Sequence, residues 1–111
     1  MKRRCFSLRT FLFVRLVCLL SVLTALALSG KIREFAVPTA SSFPEGITAG
    51  PDGNLWFTEI DGNNIGRITT AGVVTEFPVP TASSEPEGIA AGPDGNIWFT
   101  EFAVNKIGQL R

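Results

Sequence analysis

One stretch of sequence occurs twice in this chain, and it decides the fold. Residues 44–59 read PEGITAGPDGNLWFTE, and residues 86–101 read PEGIAAGPDGNIWFTE. Working outward from these stretches, residues 34–69 align without a gap on residues 76–111, and 25 of the 36 aligned positions are identical. The sequence therefore repeats with a period of 42 residues. A period of this size is typical of proteins built from stacked repeats, and of propeller blades in particular.

Turn-forming residues divide each period into short strands. The Asp-Gly pairs supply the positive-φ positions of tight turns, and the segments between turns are rich in residues that favour strands. Four antiparallel strands joined by tight turns form a propeller blade, so we predict an all-β fold of two tandem propeller-type blades, an incomplete propeller, at residues 34–75 and 76–111. The strands are predicted at residues 46–49, 55–59, 65–69, 73–79, 88–91, 97–101 and 107–111.

The fourth strand of the first repeat is predicted to lie at an edge. Pro78 stands within it, and proline cannot donate to a strand ladder. Residues 31–37 align with this strand, so an eighth strand is expected at the start of the repeat region.

Residues 1–30 are predicted to be an N-terminal signal helix, either a signal peptide or an uncleaved anchor. They carry Lys2, Arg3, Arg4, Arg9 and Arg15 and no acidic residue. A short apolar run follows, and Ala25-Leu26-Ala27 fits a small-x-small cleavage pattern. The general secretory route and the twin-arginine route are both open, because an Arg-Arg pair is present. We expect a periplasmic, secreted or cell-surface protein with no membrane contact beyond this leader.

Composition excludes several classes of function. Residues 31–111 contain five basic and ten acidic residues, a net charge of −5 that argues against nucleic-acid binding. Both cysteines, Cys5 and Cys18, lie in the leader, so the repeats have neither an internal disulfide nor a cysteine metal site. Histidine is absent, which removes the usual acid–base group at neutral pH and the commonest transition-metal ligand.

The repeated text resembles the blade repeat of the virginiamycin B lyase (streptogramin lyase) family. The resemblance covers residues 34–111 and rests on residues 44–59 and on Asn64-Ile65-Gly66-Arg67-Ile68. It implies a closed propeller of six or seven blades and a C–O lyase that linearises streptogramin B, using a histidine pair, glutamates and Mg²⁺. The positions after the two Trp-Phe-Thr-Glu motifs, where histidine often stands, are Ile60 and Phe102. The resemblance therefore implies the fold and ancestry, and we expect no catalytic residue and no cofactor in this chain.

Glu59 and Glu101 are the weak candidates for a metal site. Each ends the second strand of its repeat, on the face where the interblade linkers and the 61–64 turn should meet, and carboxylates from several blades could hold a hard cation. The alternative is a structural role, in capping backbone amides or pairing with Lys106 or Arg67. The other polar or aromatic candidates are expected to be structural: Asp52, Asp61 and Asp94 in turns, Trp56 and Trp98 buried between blades, and Ser41, Ser42, Ser83 and Ser84 bonded to local backbone.

Three functions from different classes are open at this point. The leading one is an exported, non-catalytic repeat module or part of a lyase-like protein. The alternatives are a streptogramin B lyase-like enzyme whose catalytic blades are missing from this chain, and a cell-surface array that binds a ligand or partner. Self-association is also expected, because two blades enclose no ring. The opening strand of one copy would complete the last blade of the next, and three copies would give six blades.

Overall fold

The computed structural model describes residues 30–111, and residues 35–111 form one compact unit. The predicted leader lies outside the described residues apart from Gly30. Within the described part, no helix is long and apolar enough to cross a membrane. The strands are β1 (Pro44–Ala49), β2 (Leu55–Glu59), β3 (Asn64–Ile68), β4 (Val74–Pro78), β5 (Pro86–Ala91), β6 (Ile97–Glu101) and β7 (Lys106–Leu110), with one 3-10 turn at Phe102–Val104.

The strands form two antiparallel meanders, one from each repeat. The first sheet has the order β1-β2-β3-β4 and the second has the order β5-β6-β7. In the first sheet Phe57 lies opposite Gly66, and Gly66 lies opposite Glu76, so these three residues share one face. The register of the second sheet matches, with Phe99 opposite Gly108. The all-β fold predicted from the repeat is confirmed, and Pro78 lies in an edge strand as expected.

One predicted strand is wrong for the single chain. Residues 31–37 were expected to form an eighth strand, but residues 30–43 contain no strand and the second sheet has three strands. The physical reason is the order in which the strands follow one another along the sequence. The outer position of the first sheet is already taken by β4, which follows β3 through a short turn. A strand at residues 31–37 would have to extend β7, and β7 belongs to the other sheet.

The two sheets pack face to face through an apolar junction. Trp56 and Ile65 of the first sheet contact Ile97 and Phe99 of the second, and all four side chains are buried. Complete burial of one such aliphatic side chain is worth about 1.5–3 kcal/mol, so this cluster is a large part of the stability of so small a fold. Partly buried Phe77, Ile89 and Leu110 pack around it.

Thr58 links the two blades through its hydroxyl. Its Oγ1 accepts a hydrogen bond from the Gly46 amide at 3.0 Å and donates one to the Glu87 carbonyl oxygen at 2.8 Å. A Cβ on Gly46 would lie 2.6 Å from that same carbonyl oxygen. Glycine is therefore required at residue 46, because any side chain there would push the blades apart.

Asn63 ties the first blade to the linker that leads into the second. It has a φ of 54°, in the left-handed region that asparagine tolerates better than most residues. Its Nδ2 donates to the carbonyl oxygens of Val79 and Thr81, and its Oδ1 accepts from the amide and the hydroxyl of Ser84. One side chain therefore fixes the path of the linker at three points.

Candidate functional site

The Glu59 carboxyl is sealed inside the first blade, at the end of β2. Its Oε2 accepts a hydrogen bond from Asn64 Nδ2 at 3.2 Å, and its Oε1 is buried without a hydrogen-bond partner. A Cβ on Gly62 would lie 2.9 Å from Oε2 and 2.9 Å from the Ser42 Cβ. The segment before β1, which contains Ser42, and the 61–64 turn thus close over this carboxyl, in the place that the repeat predicts for it.

Burial raises the pKa of the Glu59 carboxyl, and the negative charge of Glu76 raises it further, while the hydrogen bond from Asn64 partly offsets both effects. Glu76 is itself held by Thr39, whose amide and hydroxyl each donate to one of its carboxylate oxygens at 2.9 Å. Thr39 lies in one of the interblade linkers that were expected on this face, whereas Glu76 was not expected near Glu59. The repeat carries a signal for Glu76, because Glu34 occupies the equivalent position.

The surroundings of Glu59 fit Mg²⁺ poorly. This ion prefers octahedral oxygen coordination by ionised carboxylates and waters. Here one carboxyl has a raised pKa, and its neighbour Glu76 already accepts two hydrogen bonds. Among residues 30–111 there is no group of three or more His, Cys, Asp or Glu side chains that could hold a metal ion. A cation at Glu59 and Glu101 stays a sequence-based hypothesis, and no chemical step is assigned through a metal.

Glu101 occupies the equivalent place in the second blade with different neighbours. It is also buried, and its Oε2 has no hydrogen-bond partner. Lys106 stands where the first blade has Asn64, and its Nζ donates to Thr81 Oγ1 at 3.0 Å. Phe102 is largely exposed at the start of the 3-10 turn. The pairings of Glu59 or Glu101 with Lys106 or Arg67, which the sequence suggested, are not among the salt bridges within residues 30–111.

Two aspartates serve the turns at the opposite end of the strands, as predicted. Hydrogen bonds from the Asn54 side chain and the Trp56 indole lower the pKa of Asp52 to about 2. The Trp98 indole and Asn96 lower the pKa of Asp94 to about 2 in the same way. These carboxylates are exposed, but they are engaged in holding the turns and are weak bases.

The tryptophans and serines depart in part from expectation. Trp56 is buried between the blades as predicted. The prediction that Trp98 is buried is wrong, because within residues 30–111 no blade covers that side of the second blade. The Ser84 hydroxyl donates to Asn63 Oδ1 at 2.7 Å, where a bond to local backbone was expected. The expectation failed because Asn63, 21 residues away in sequence, competes successfully for that hydroxyl.

Arg67 was suggested only as a partner for glutamate. Its guanidinium instead lies 5.7 Å from the centre of the Trp56 ring and 3.8 Å from Asp52. A cation above an indole face is attracted by the ring quadrupole, so Arg67 and Asp52 together fix Trp56 at the rim of the junction.

Comparison with known proteins agrees with this geometry. A virginiamycin B lyase of Saccharopolyspora erythraea is 53% identical over 38 residues, which are 34% of this chain and 13% of that protein. The structure of a selenomethionine-substituted virginiamycin B lyase from Staphylococcus aureus superposes with a TM-score of 0.73 and 55% identity, covering 76% of this chain and 29% of that one. A catalytically inactive histidine-to-alanine variant of the same lyase, solved with quinupristin, gives the same values.

The chain thus spans less than a third of the length of the solved lyases it matches. A model of the virginiamycin B lyase family matches residues 21–111, which include both blades and the linker between them. The repeat, the two antiparallel blades and these comparisons agree: the chain belongs to the virginiamycin B lyase family.

Proposed function

We propose that this chain is an exported, non-catalytic blade module of the virginiamycin B lyase family. The observation that carries the proposal is the complete absence of histidine from the sequence. In the S. aureus lyase, replacement of one histidine by alanine gives a protein described as catalytically inactive. This chain has hydrophobic residues, Ile60 and Phe102, after its two Trp-Phe-Thr-Glu motifs.

Glu59, Asp52 and Asp94 are poorly suited to act as a replacement base. A general base works best when its pKa lies near the working pH and its side chain reaches the proton it removes. The carboxyl with a raised pKa, Glu59, is fully buried beneath the segment before β1 that contains Ser42. The exposed carboxylates of Asp52 and Asp94 have pKa values of about 2, which makes them weak bases at neutral pH.

A conversion assay tests the proposal. The full chain is incubated with quinupristin and Mg²⁺, and the products are followed by mass spectrometry, with a virginiamycin B lyase from S. aureus as the positive control. We expect the cyclic compound to remain intact with this chain. Magnesium-dependent conversion to a linear product at enzymatic rates would refute the proposal, and loss of that activity in Glu59→Gln or Glu101→Gln would then identify the base.

The proposed export rests on the charge segregation of the sequence. All acidic residues follow residue 30, whereas the first thirty residues combine five bases with an apolar run. Fractionation followed by N-terminal sequencing tests this part. We expect a mature N-terminus near Leu28 outside the cytoplasm, and a soluble cytoplasmic product starting at Met1 would contradict it.

A partner-binding role is a second candidate, favoured by a different observation. Each blade leaves one apolar face uncovered in the described part of the chain, with Ile47 exposed on the first and Trp98 on the second. These faces could bind a partner without any catalytic group.

A further inference from the structure

The two uncovered faces are the repeat equivalents of the two faces that pack together at the internal junction. At the internal junction, Trp56, Thr58 and Ile65 of the first blade face the second blade; their repeat equivalents are Trp98, Thr100 and Ile107. We call the surface formed by Gly88, Trp98, Thr100 and Ile107 the leading face. It lies on the second blade and has no neighbour within residues 30–111.

The opposite end of the molecule carries the complementary surface. At the internal junction, the first blade packs against Ile89, Phe99 and Leu110 of the second blade. Their repeat equivalents on the first blade are Ile47, Phe57 and Ile68. With Phe35, Val37 and Val74, these three residues line an open apolar groove of about 260 Å³, which we call the trailing groove. Both halves of a second junction are therefore present on one chain, at its two ends.

We propose that a second copy of this chain docks head to tail, with its trailing groove covering the leading face of the first copy. The contact repeats the internal junction between copies. Trp98 is 37% exposed where Trp56 is 8% exposed, and Ile107 is 66% exposed where Ile65 is 1% exposed. Docking would bury these side chains as their equivalents are already buried, which gives the association an apolar driving force.

Gly88 and Thr100 are arranged for this contact. The Gly88 amide donates to Thr100 Oγ1 at 2.9 Å, as the Gly46 amide donates to Thr58 at the internal junction. The Thr58 hydroxyl in turn donates a hydrogen bond to the Glu87 carbonyl oxygen of the next blade. The equivalent acceptor for Thr100 is the Glu45 carbonyl oxygen of a second copy. Within residues 30–111 a Cβ on Gly88 would meet only the Thr100 side chain, at 3.2 Å, whereas a Cβ on Gly46 would also lie 2.6 Å from the Glu87 carbonyl oxygen, so docking would add a backbone clash at residue 88.

The segment that would complete the second blade already lies in the trailing groove. Phe35 lines the groove beside Ile68 and packs against Gly72. Its repeat equivalent, Phe77, stacks on Trp56 with ring centres 5.6 Å apart. In the docked pair, Phe35 of the second copy would stack on Trp98 of the first in the same way.

The register of the completed blade follows from the first sheet. There Asn64 lies opposite Pro78, and Ile65 lies opposite Phe77. Lys106 of the first copy would lie opposite Ala36 of the second, and Ile107 opposite Phe35. Residues around 32–36 of the second copy thus become the fourth strand beside β7, which closes an open strand edge.

The contact joins different surfaces of the two copies, so it can be repeated until a ring closes. Propellers typically contain four to eight blades, and two blades a copy therefore correspond to rings of about two to four copies. Three copies would give six blades.

A cysteine pairing experiment with the full chain tests the register. In a background with Cys5→Ser and Cys18→Ser, one preparation carries Lys106→Cys and a second carries Ala36→Cys. After the two are mixed under mild oxidation, we expect a disulfide between copies. A matched mixture replaces Ala36→Cys with Ala71→Cys, whose residue lies in the turn after β3, at the far end of the strands from Lys106. Equal or lower yield from the Ala36 pair would overturn the proposed register.

A steric variant tests the docking itself. Sedimentation velocity compares the parent chain with Gly88→Ala and with the control Ala82→Val, which adds two methyl groups on the exposed linker between the blades, away from both faces. We expect Gly88→Ala to keep the circular dichroism of the parent and to weaken association at least tenfold, with Ala82→Val unchanged. A parent chain that stays monomeric, or an oligomer that Gly88→Ala leaves intact, would overturn the proposal and mean that something other than a second copy covers these faces.

Discussion

Asn63 should contribute far more to the stability of the isolated chain than its repeat equivalent Asn105. Both have left-handed backbone, with φ of 54° and 55°, so replacement by glycine keeps the conformation and removes only the side chain. Asn63 makes four side-chain hydrogen bonds at 2.7–3.2 Å, two of them with the buried Ser84. None of the side-chain hydrogen bonds within residues 30–111 involves Asn105.

The expected difference is about 3 kcal/mol in the free energy of unfolding. Each hydrogen bond contributes about 1 kcal/mol net, and the Ser84 amide and hydroxyl would be left buried without a partner. Some solvent access to the linker reduces the total. The gain in unfolded-state freedom on introducing glycine is common to both variants and cancels in the comparison.

Urea unfolding followed by tryptophan fluorescence measures this difference, with protein dilute enough that sedimentation shows a single chain. We expect Asn63→Gly to lower the unfolding free energy by about 3 kcal/mol more than Asn105→Gly does. A difference below about 1 kcal/mol would refute the view that Asn63 fixes the linker between the blades. When copies associate, Asn105 should gain importance, because the equivalents of the Asn63 partners are Val37, Thr39 and Ser42 of a second copy.

Three further predictions follow from buried or strained positions. The pKa of Glu59 is raised in the folded state, so its contribution to stability is present below pH 4.5 and is lost as the pH rises through the folded value. The variant Glu59→Gln should therefore have a higher thermal unfolding midpoint than the parent at pH 7. An unchanged or lower midpoint would contradict this. The pKa values of Asp52 and Asp94 are lowered to about 2, so their contribution to folding stability is present above pH 3.8 and is lost as the pH falls toward 2. Tryptophan fluorescence should change between these pH values, and it should change much less in the double variant Asp52→Asn, Asp94→Asn. Gly66→Ala would place a Cβ against the ring of buried Phe57 and should prevent cooperative unfolding in calorimetry, which a native-like transition would disprove.

The sequence predicts local structure well where all the residues that determine a strand or turn lie within one repeat. The β2 and β6 strands are found at residues 55–59 and 97–101 as expected, since tight turns bound them on both sides. The positive φ of Gly53 and Gly95 also follows from the Asp-Gly turns. The β1 and β5 strands begin at Pro44 and Pro86, two residues earlier than expected, because the ladder continues past an irregularity in its register.

Features that depend on a neighbouring blade could not be read from one repeat. Trp56 and Trp98 have the same local sequence, yet only the first is covered, because in the described part of the chain only the first blade has a neighbour on that side. The link between Asn63 and Ser84 likewise joins two repeats and has no local signal. At the candidate site, the position of Glu59 followed from the strand and its turn, whereas its interaction with Glu76 depends on how the segment before β1 folds around Thr39.

The mass of the protein in solution is the most direct test of the claim that the trailing groove of one copy binds the leading face of another. Sedimentation equilibrium of the full chain, measured over a range of concentrations, compares the observed mass with the 11.9 kDa of one copy. Two blades with matching ends predict a reversible assembly of about two to four copies, which Gly88→Ala dissociates. A single folded copy at every concentration, with Trp98 still exposed to a fluorescence quencher, would contradict the account.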